Sequence, residues 1–190
     1  LLQKISIYLI ETPLNSINEA VLPFASKTSD DVSLTEHLIS RSIKFYLIFS
    51  VALAVVLLVL APVVINLFFP LFSSGLELVP LFALYYALSF DFPMGTFFRV
   101  INKPRVLTIT YISSAVVSLV PGYFLISHFL IQGLLATMVI ARILGIMISI
   151  FFIRKSRYRI EFIPRNEDLA FFWLLFSRFF WQILRRFSRK

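Results

Sequence analysis

The chain has 190 residues, of which 59% are hydrophobic and only 15% are charged. Soluble domains average about 45–50% apolar and about 25% charged residues, and disordered chains combine low hydrophobicity with high net charge. The composition therefore excludes both classes and predicts an all-α integral membrane protein. The formal net charge of +8 fits this class, because the basic residues cluster at the ends of apolar segments and in the tail. Anionic cytoplasmic lipid favours that pattern, so we expect no nucleic-acid partner.

Motifs of soluble enzymes and metal proteins do not occur in this sequence. The absence of cysteine excludes disulfides, cysteine-ligated zinc and iron–sulfur clusters. His37 and His128 lie too far apart in the chain for an HxxxH-type metal site, and the five glycines form neither a GxGxxG fingerprint nor a P-loop. We therefore expect a protein that is not an enzyme and that needs no metal or cofactor.

Five segments are apolar enough to be membrane-spanning helices, each of which needs about 20 residues. The chain begins with Leu1 in apolar, helix-like sequence, without a signal-peptide pattern, which predicts a fragment or a processed product. The transmembrane lobe is expected to cover residues 1–160. The five segments are span a (1–25), span b (40–62), span c (76–98), span d (104–125) and span e (132–153).

Polar or turn-forming residues separate the first three spans. Residues 27–33 form a polar loop, and Ser33 or Thr35 is expected to cap the helix of span b. Residues 63–74 are expected to form an uncharged turn between spans b and c.

A short basic loop, residues 99–105, separates spans c and d, and Pro104 suits the first turn of the next helix. Residues 106–141 contain no charged side chain and are too many for one span. We expect two helices joined by a hairpin, with breaks at Pro121-Gly122 and at Ser127-His128.

Basic residues occur in alternate loops. The loops after spans b and d contain no Lys or Arg, whereas those after a, c and e are basic. The positive-inside rule places the basic loops in the cytoplasm, so we expect a multi-pass protein of the cell membrane with a cytoplasmic C-terminus. The residues are Lys27, Arg41 and Lys44 after span a, Arg99, Lys103 and Arg105 after span c, and Arg154, Lys155, Arg157, Arg159 and Arg165 after span e.

Residues 161–190 form a basic, aromatic tail. Its arginines recur at helical spacing, and Trp and Phe occupy the other positions, which predicts an amphipathic helix lying in the cytoplasmic membrane interface. A sixth span is the alternative. The arginines expected to bind lipid headgroups are Arg178, Arg185, Arg186 and Arg189.

Three charged residues fall within the spans, where a charge costs about 2.5–3.5 kcal/mol and usually faces a partner or a watery cavity. They are Glu11 in span a, Asp91 in span c and Arg142 at the centre of span e. One interpretation is a polar substrate cavity in which Arg142 attracts an anionic group. The other is a structural pair of Arg142 with Glu11 or with Asp91, which holds helices together.

Span a also carries Asn15 and Asn18 on the same helix face as Glu11. Such a polar stripe either lines the cavity or forms hydrogen bonds between helices. In span e, small residues recur every four positions, including Gly133, Ala141 and Gly145. This pattern predicts close packing between helices.

Three stretches resemble one family of transporters. Span a ends in PLNSINEAVLPFASKTSDD, the c–d loop reads RVINKPRVLT, and the d–e hairpin reads LVPGYFLISHFLIQGLLATMVIARILG. Together they resemble the polysaccharide exporters and lipid-linked oligosaccharide flippases of the MATE-like superfamily (the Wzx- and MurJ-like branch). The resemblance covers about residues 5–155.

The resemblance implies two six-helix lobes around a central cavity, both termini in the cytoplasm, and transport by alternating access. Spans a to e would be the last five spans of twelve or more, and an N-terminal lobe would precede them. The implied substrate is a lipid-linked glycan, and the implied surroundings are membrane lipids. The chain departs from the family pattern by reading SHFLIQGLLATM where a richer Gly/Ala run is expected.

Two other functions stay open at this stage. A MATE-type cation or drug antiporter would use the carboxylates Glu11 and Asp91 in its cavity. A membrane scaffold for glycan assembly would use the tail to bind a glycosyltransferase.

Overall fold

In the computed structural model, the described part of the chain comprises residues 31–165, 167 and 168, and it contains helices but no strand. The expected span a and nearly all of the tail lie outside these residues. The elements are α1 (Val32–Phe68), a 3₁₀ segment (Pro70–Leu78), α2 (Val79–Ala87), a second 3₁₀ segment (Leu88–Asp91), α3 (Phe92–Val100) and α4 (Pro104–Lys155).

Helix α1 begins earlier and ends later than span b. Its N-cap is Asp31, whose carboxylate accepts a hydrogen bond from the backbone N–H of Leu34 at 3.1 Å. The expectation of a cap at Ser33 or Thr35 is therefore wrong, because both lie inside the helix. Ser33 instead donates its hydroxyl to the Asp31 carboxylate at 2.8 Å. The Leu34 N–H also lowers the pKa of Asp31, which keeps this cap ionised at neutral pH.

Pro62 lies inside α1 and does not end it, so the expected turn at residues 63–74 is wrong over its first half. The helix continues to Phe68, and the 3₁₀ segment Pro70–Leu78 then leads directly into α2. A proline inside a spanning helix is tolerated, because neighbouring groups satisfy the carbonyl that loses its partner. The connection at this end is mostly 3₁₀ helix, with non-helical backbone at Phe69 and Phe72.

Span c is a discontinuous helix. The second 3₁₀ segment, Leu88–Asp91, separates α2 from α3. Single 3₁₀ turns inside a longer helix often mark a functional hinge or local strain. The interruption leaves Asp91 in the second half of the segment Pro70–Val100, which is long and apolar enough to cross a membrane.

The 52 residues of α4 form a helical hairpin that reverses at Leu130, where φ is 51° and ψ is −122°. The two limbs run side by side, because Ser114 Oγ donates to the carbonyl of Ala141, and an added Cβ on Gly122 would lie 3.0 Å from Thr137. The predicted hairpin therefore forms at the end of span d and the start of span e.

The expected breaks at Pro121-Gly122 and Ser127-His128 are wrong, since helix continues through both. Ser127 shows why a polar residue is accommodated there, because its hydroxyl donates to the Phe124 carbonyl at 2.9 Å. The reversal depends on the backbone of a single residue, Leu130, and not on the residues that usually interrupt helices.

A tight turn joins α3 to α4. The N–H of Lys103 donates to the Phe98 carbonyl at 2.9 Å, and the N–H of Asn102 donates to the Arg99 carbonyl at 3.1 Å. Asn102 has φ 52°, so the turn is a Schellman motif with asparagine in the left-handed position. Pro104 then opens α4, as its position in the sequence predicts.

The apolar core lies at one end of the bundle. We call this the basic end, defined by Lys44, the Asn102 turn and Lys155. Its fully buried side chains include Ile39 and Ile43 of α1 and Met94 and Phe97 of α3. Together with residues of both limbs of α4 and with Tyr158, they form the largest buried cluster in the described residues. Side chains of α1, α3 and α4 thus meet where the loops are basic.

Large apolar side chains remain exposed along the rest of the bundle. Val59, Leu67 and Leu119 are 62%, 70% and 73% exposed, and Leu71 is 93% exposed. A water-soluble monomer rarely exposes an apolar surface of this extent. Val32–Phe68, Pro70–Val100 and Pro104–Lys155 are each long and apolar enough to cross a bilayer. The described fold is therefore compatible with an all-α membrane protein.

Candidate functional site

The candidate site centres on an ion pair between the second limb of α4 and the break in span c. Arg142 Nε lies 3.3 Å from Asp91 Oδ2. The Arg142 side chain is 10% exposed and the Asp91 side chain 29%. The sequence left two carboxylates, Glu11 and Asp91, as candidate partners of Arg142. The structure shows the contact with Asp91. Glu11 lies outside the described residues.

The guanidinium also binds the last turn of α2. Arg142 Nη1 donates to the backbone carbonyl of Tyr85 at 3.0 Å and to Ser89 Oγ at 3.2 Å. The last four carbonyls of a helix lack intrahelical partners, so an arginine satisfies them well and also complements the helix dipole. The Arg142 Cζ lies 4.2 Å from the centroid of the Tyr85 ring, which adds a cation–π contact. One side chain therefore contacts the last turn of α2 and two residues of the 3₁₀ interruption, Ser89 and Asp91.

The site lies near mid-depth in the apolar part of the bundle. At about 1.5 Å per residue, Arg142 is about 18 Å along the helix from the reversal at Leu130 and about 20 Å from Lys155. Irregular backbone at membrane depth is tolerated where it is buried in protein or lines a cavity. The Leu88–Asp91 break meets this condition, because Ser89 is buried and faces the guanidinium.

The chemistry of this arrangement is anion recognition and charge pairing. A guanidinium presents a rigid set of N–H donors that matches a carboxylate or a phosphate. Within the described residues, no group of three or more His, Asp or Glu side chains is placed to hold a metal ion.

The small residues of span e lie at the contact between the two limbs of α4. An added Cβ on Gly133 would overlap the Leu125 carbonyl oxygen, and one on Gly145 would lie 3.3 Å from the Thr110 methyl group. Ala141 accepts the Ser114 hydroxyl through its carbonyl at 3.4 Å. These residues are therefore at the interface between the two limbs.

The remaining predicted site residues lie outside the residues that the structure describes. They are the span a stripe of Glu11, Asn15 and Asn18 and the headgroup arginines Arg178, Arg185, Arg186 and Arg189.

A second charged cluster, which the sequence reasoning missed, lies at the basic end. Lys44 of α1 is 8% exposed in its side chain, and its Nζ lies 2.9 Å from Glu161 Oε2 and 3.0 Å from Asp168 Oδ2. Arg165 Nη2 completes the cluster at 2.7 Å from Glu161 Oε1. Glu161 and Asp168 are acidic residues in a largely basic stretch, but nothing in the local sequence relates them to Lys44.

The segment that follows α4 also binds α1 through backbone N–H groups. The N–H of Arg159 donates to Glu36 Oε1 at 2.6 Å, and the N–H of Glu161 donates to Ser40 Oγ at 3.1 Å. We call residues 156–168 the strap. The hydrogen bond from Lys44, and then its charge, lower the pKa of Glu161. The Arg165 backbone N–H, followed by Lys44, lowers the pKa of Asp168. The strap therefore binds α1 with ionised carboxylates at neutral pH.

Comparison of the chain with family models, with curated proteins and with solved structures finds no match. The function is therefore argued from the site and from the sequence pattern.

Proposed function

We propose that this chain is the C-terminal lobe of a membrane transporter that flips a lipid-linked oligosaccharide across the cell membrane by alternating access. The observation that carries the proposal is the discontinuous span c, whose break is held by Arg142 and Asp91 at mid-depth. Broken spanning helices with charged residues at the bilayer midplane are typical of substrate sites in transporters. The resemblance in the sequence supports the same class.

The chemistry of the pair supports an anionic group on the substrate. Lipid-linked glycans carry phosphate, and arginine binds phosphate through paired, charge-assisted hydrogen bonds. In the proposed cycle the substrate phosphate competes with Asp91 for Arg142. Release of Asp91 loosens the contact between α4 and the break in span c. The substrate thereby biases a two-state element, which alternating access requires.

The proposed orientation places the basic end in the cytoplasm. Lys103, Arg105, Arg154 and Lys155 lie at this end, and the reversal at Leu130 lies at the opposite end. An upstream N-terminal lobe, with span a between it and α1, would provide the other side of the cavity.

The test is transport by the intact protein in proteoliposomes that contain a fluorescent lipid-linked oligosaccharide. Arg142→Ala is expected to lower the flipping rate at least about tenfold, because one charge-assisted contact to a phosphate is worth about 1.5–3 kcal/mol. Arg154→Ala is the matched control, since it removes an exposed arginine at the end of the same limb and should leave the rate unchanged.

Three outcomes would contradict the proposal. One is an unchanged flipping rate in Arg142→Ala at an equal amount of inserted protein. The second is ion-driven export of a cationic dye, with loss in Asp91→Asn, which identifies a cation antiporter. The third is a requirement for residues 166–190 together with an absence of any transport, which identifies a scaffold that binds a glycosyltransferase.

A further inference from the structure

A cavity of about 660 Å³ opens at the basic end, between the α3–α4 turn and the last turn of α4. The Schellman turn at Asn102 determines one of its walls, because it directs the chain from α3 into α4 within three residues. The hairpin determines the other wall, since it returns Lys155 to the level at which α4 began. Lys103 and Lys155, which are 52 positions apart in the sequence, thus line the same cavity.

Three cations line this cavity: Lys103 in the turn, Arg105 in the first turn of α4 and Lys155 in the last. All three are exposed, and no acidic residue lines the cavity with them. Among the residues that the structure describes, none forms a salt bridge with any of the three. The contrast with Lys44 is direct, because its charge is already matched by Glu161 and Asp168.

The inner wall of the cavity is apolar. Phe98 and Val106 are buried at its base, and the half-buried Phe152 forms its side. Ile150 and Phe152 continue from the buried cluster toward the apolar length of α4. Positive charge therefore stands at the end of the bundle, with apolar surface directly beside it in the membrane-crossing helices.

We propose that this cavity binds an anionic phospholipid, with the phosphate between Lys103, Arg105 and Lys155 and the start of an acyl chain against Phe152. Basic pockets between membrane helices at the cytoplasmic side bind anionic headgroups, and each nearby Lys or Arg contributes about 1 kcal/mol. The apolar wall selects a lipid over a soluble phosphate. The site is independent of the transport proposal, because it shares no residue with the Arg142–Asp91 pair.

The test is a titration of the intact, detergent-purified protein with fluorescent phosphatidylglycerol. Arg105→Gln with Lys155→Gln is expected to weaken binding about 25-fold, or about fivefold per cation. The matched control is Arg99→Gln with Arg154→Gln, which removes two exposed cations from the same end but none that lines the cavity. It should weaken binding less than about threefold, because salt screens separated surface charges.

Two further arms identify the ligand. Millimolar glycerol phosphate should not displace the labelled lipid. The double variant Lys103→Arg with Lys155→Arg should retain affinity for the lipid, because both substitutions keep the positive charge. The proposal is overturned if the control variant weakens binding as much as the cavity variant, if glycerol phosphate competes fully, or if phosphatidylcholine binds as tightly as phosphatidylglycerol. The substituted side chains are exposed, so an unchanged thermal midpoint checks that each variant is folded.

Discussion

Arg142 and Asp91 are 51 residues apart in sequence, yet the arginine Nε and the aspartate Oδ2 lie 3.3 Å apart in the apolar part of the bundle. The contact joins the second limb of α4 to the point where span c is interrupted. The same guanidinium also donates hydrogen bonds to the Tyr85 carbonyl and to the Ser89 hydroxyl oxygen. Both a structural and a transport role for this pair lead to measurable consequences.

Breaking the pair from one side should destabilise the fold. Arg142→Leu leaves Asp91 without its guanidinium partner, and we expect a loss of about 3 kcal/mol, at the low end for buried pairs because Asp91 stays 29% exposed. The double variant Arg142→Leu with Asp91→Leu should be more stable than Arg142→Leu alone, since no unbalanced charge remains. Thermal unfolding in detergent measures both. Additive effects of the two substitutions would show that the residues are not coupled.

The close contact of the α4 limbs predicts that alanine substitution at two glycines will have very different effects on stability. A Cβ on Gly133 would overlap the Leu125 carbonyl oxygen, whereas a Cβ on Gly75 would have no atom within 4 Å. Gly133→Ala should therefore force the limbs apart and cost about 3 kcal/mol or more, above the usual range for overpacking because the obstacle is backbone. Gly75→Ala should be neutral. Comparable thermal midpoints for the two variants would contradict the hairpin geometry.

The reversal at Leu130 predicts a stabilising substitution. Its φ of 51° and ψ of −122° suit glycine and strain a residue with a Cβ, at a cost of about 1–3 kcal/mol. Leu130→Gly should raise the stability by about 1 kcal/mol. Leu119→Gly is the control, because Leu119 is equally exposed at 73% but lies within the helical first limb. It should lower stability by about 1 kcal/mol. The same sign for both variants in thermal unfolding would refute the strain.

Acidification should release the strap from α1. Lys44 lowers the pKa of Glu161, and the Arg165 N–H together with Lys44 lowers that of Asp168. Because these carboxylates bind protons more weakly in the docked strap, docking is fully stabilised above their ordinary pKa near 4. The stabilisation is lost as the pH falls below about 4 and through the lowered pKa values of the two carboxylates. The protection of the Arg159 and Glu161 amides, which donate to α1, should fall over this range when their hydrogen exchange is compared with the intrinsic rate at each pH.

The control for this pH dependence is Lys44→Met, which removes the shared cation and fills the buried position with an apolar side chain. The protection of the Arg159 and Glu161 amides should then be lower at neutral pH, and it should vary less with pH over the same range. A pH dependence as steep as that of the unsubstituted protein would show that the Lys44 contacts do not hold the strap.

Much of the architecture was predictable from local sequence. Apolar length identified spans b to e, and Pro104 and the uncharged stretch 106–141 predicted the start of α4 and its hairpin. The errors lie at the element ends. Proline and glycine were expected to interrupt helices at Pro62 and Pro121, but helix continues through both, because in a spanning helix the cost of leaving helical geometry exceeds the loss of one hydrogen bond.

The candidate site was predictable only as a set of alternatives. Charge at membrane depth singled out Arg142 and Asp91, and both are in the observed pair. Tyr85 and Ser89 carry no such signal, since a tyrosine and a serine are ordinary residues in an apolar helix. The partners of Lys44 were missed because nothing local relates residue 44 to residues 161 and 168.

The sequence by itself determined the membrane class, the order of the apolar segments and the expected cytoplasmic placement of the basic loops. These properties follow from composition and periodicity along the chain, which are local. Only the tertiary structure decided that Arg142 pairs with Asp91 and that the strap carboxylates balance the charge of Lys44. It also decided that Lys103, Arg105 and Lys155 line one cavity with no acidic residue among the described ones. The interaction energy of two charges depends on the distance between them and on their burial. Helix reversals and packing set both quantities, and neither can be read from the order of residues along the chain.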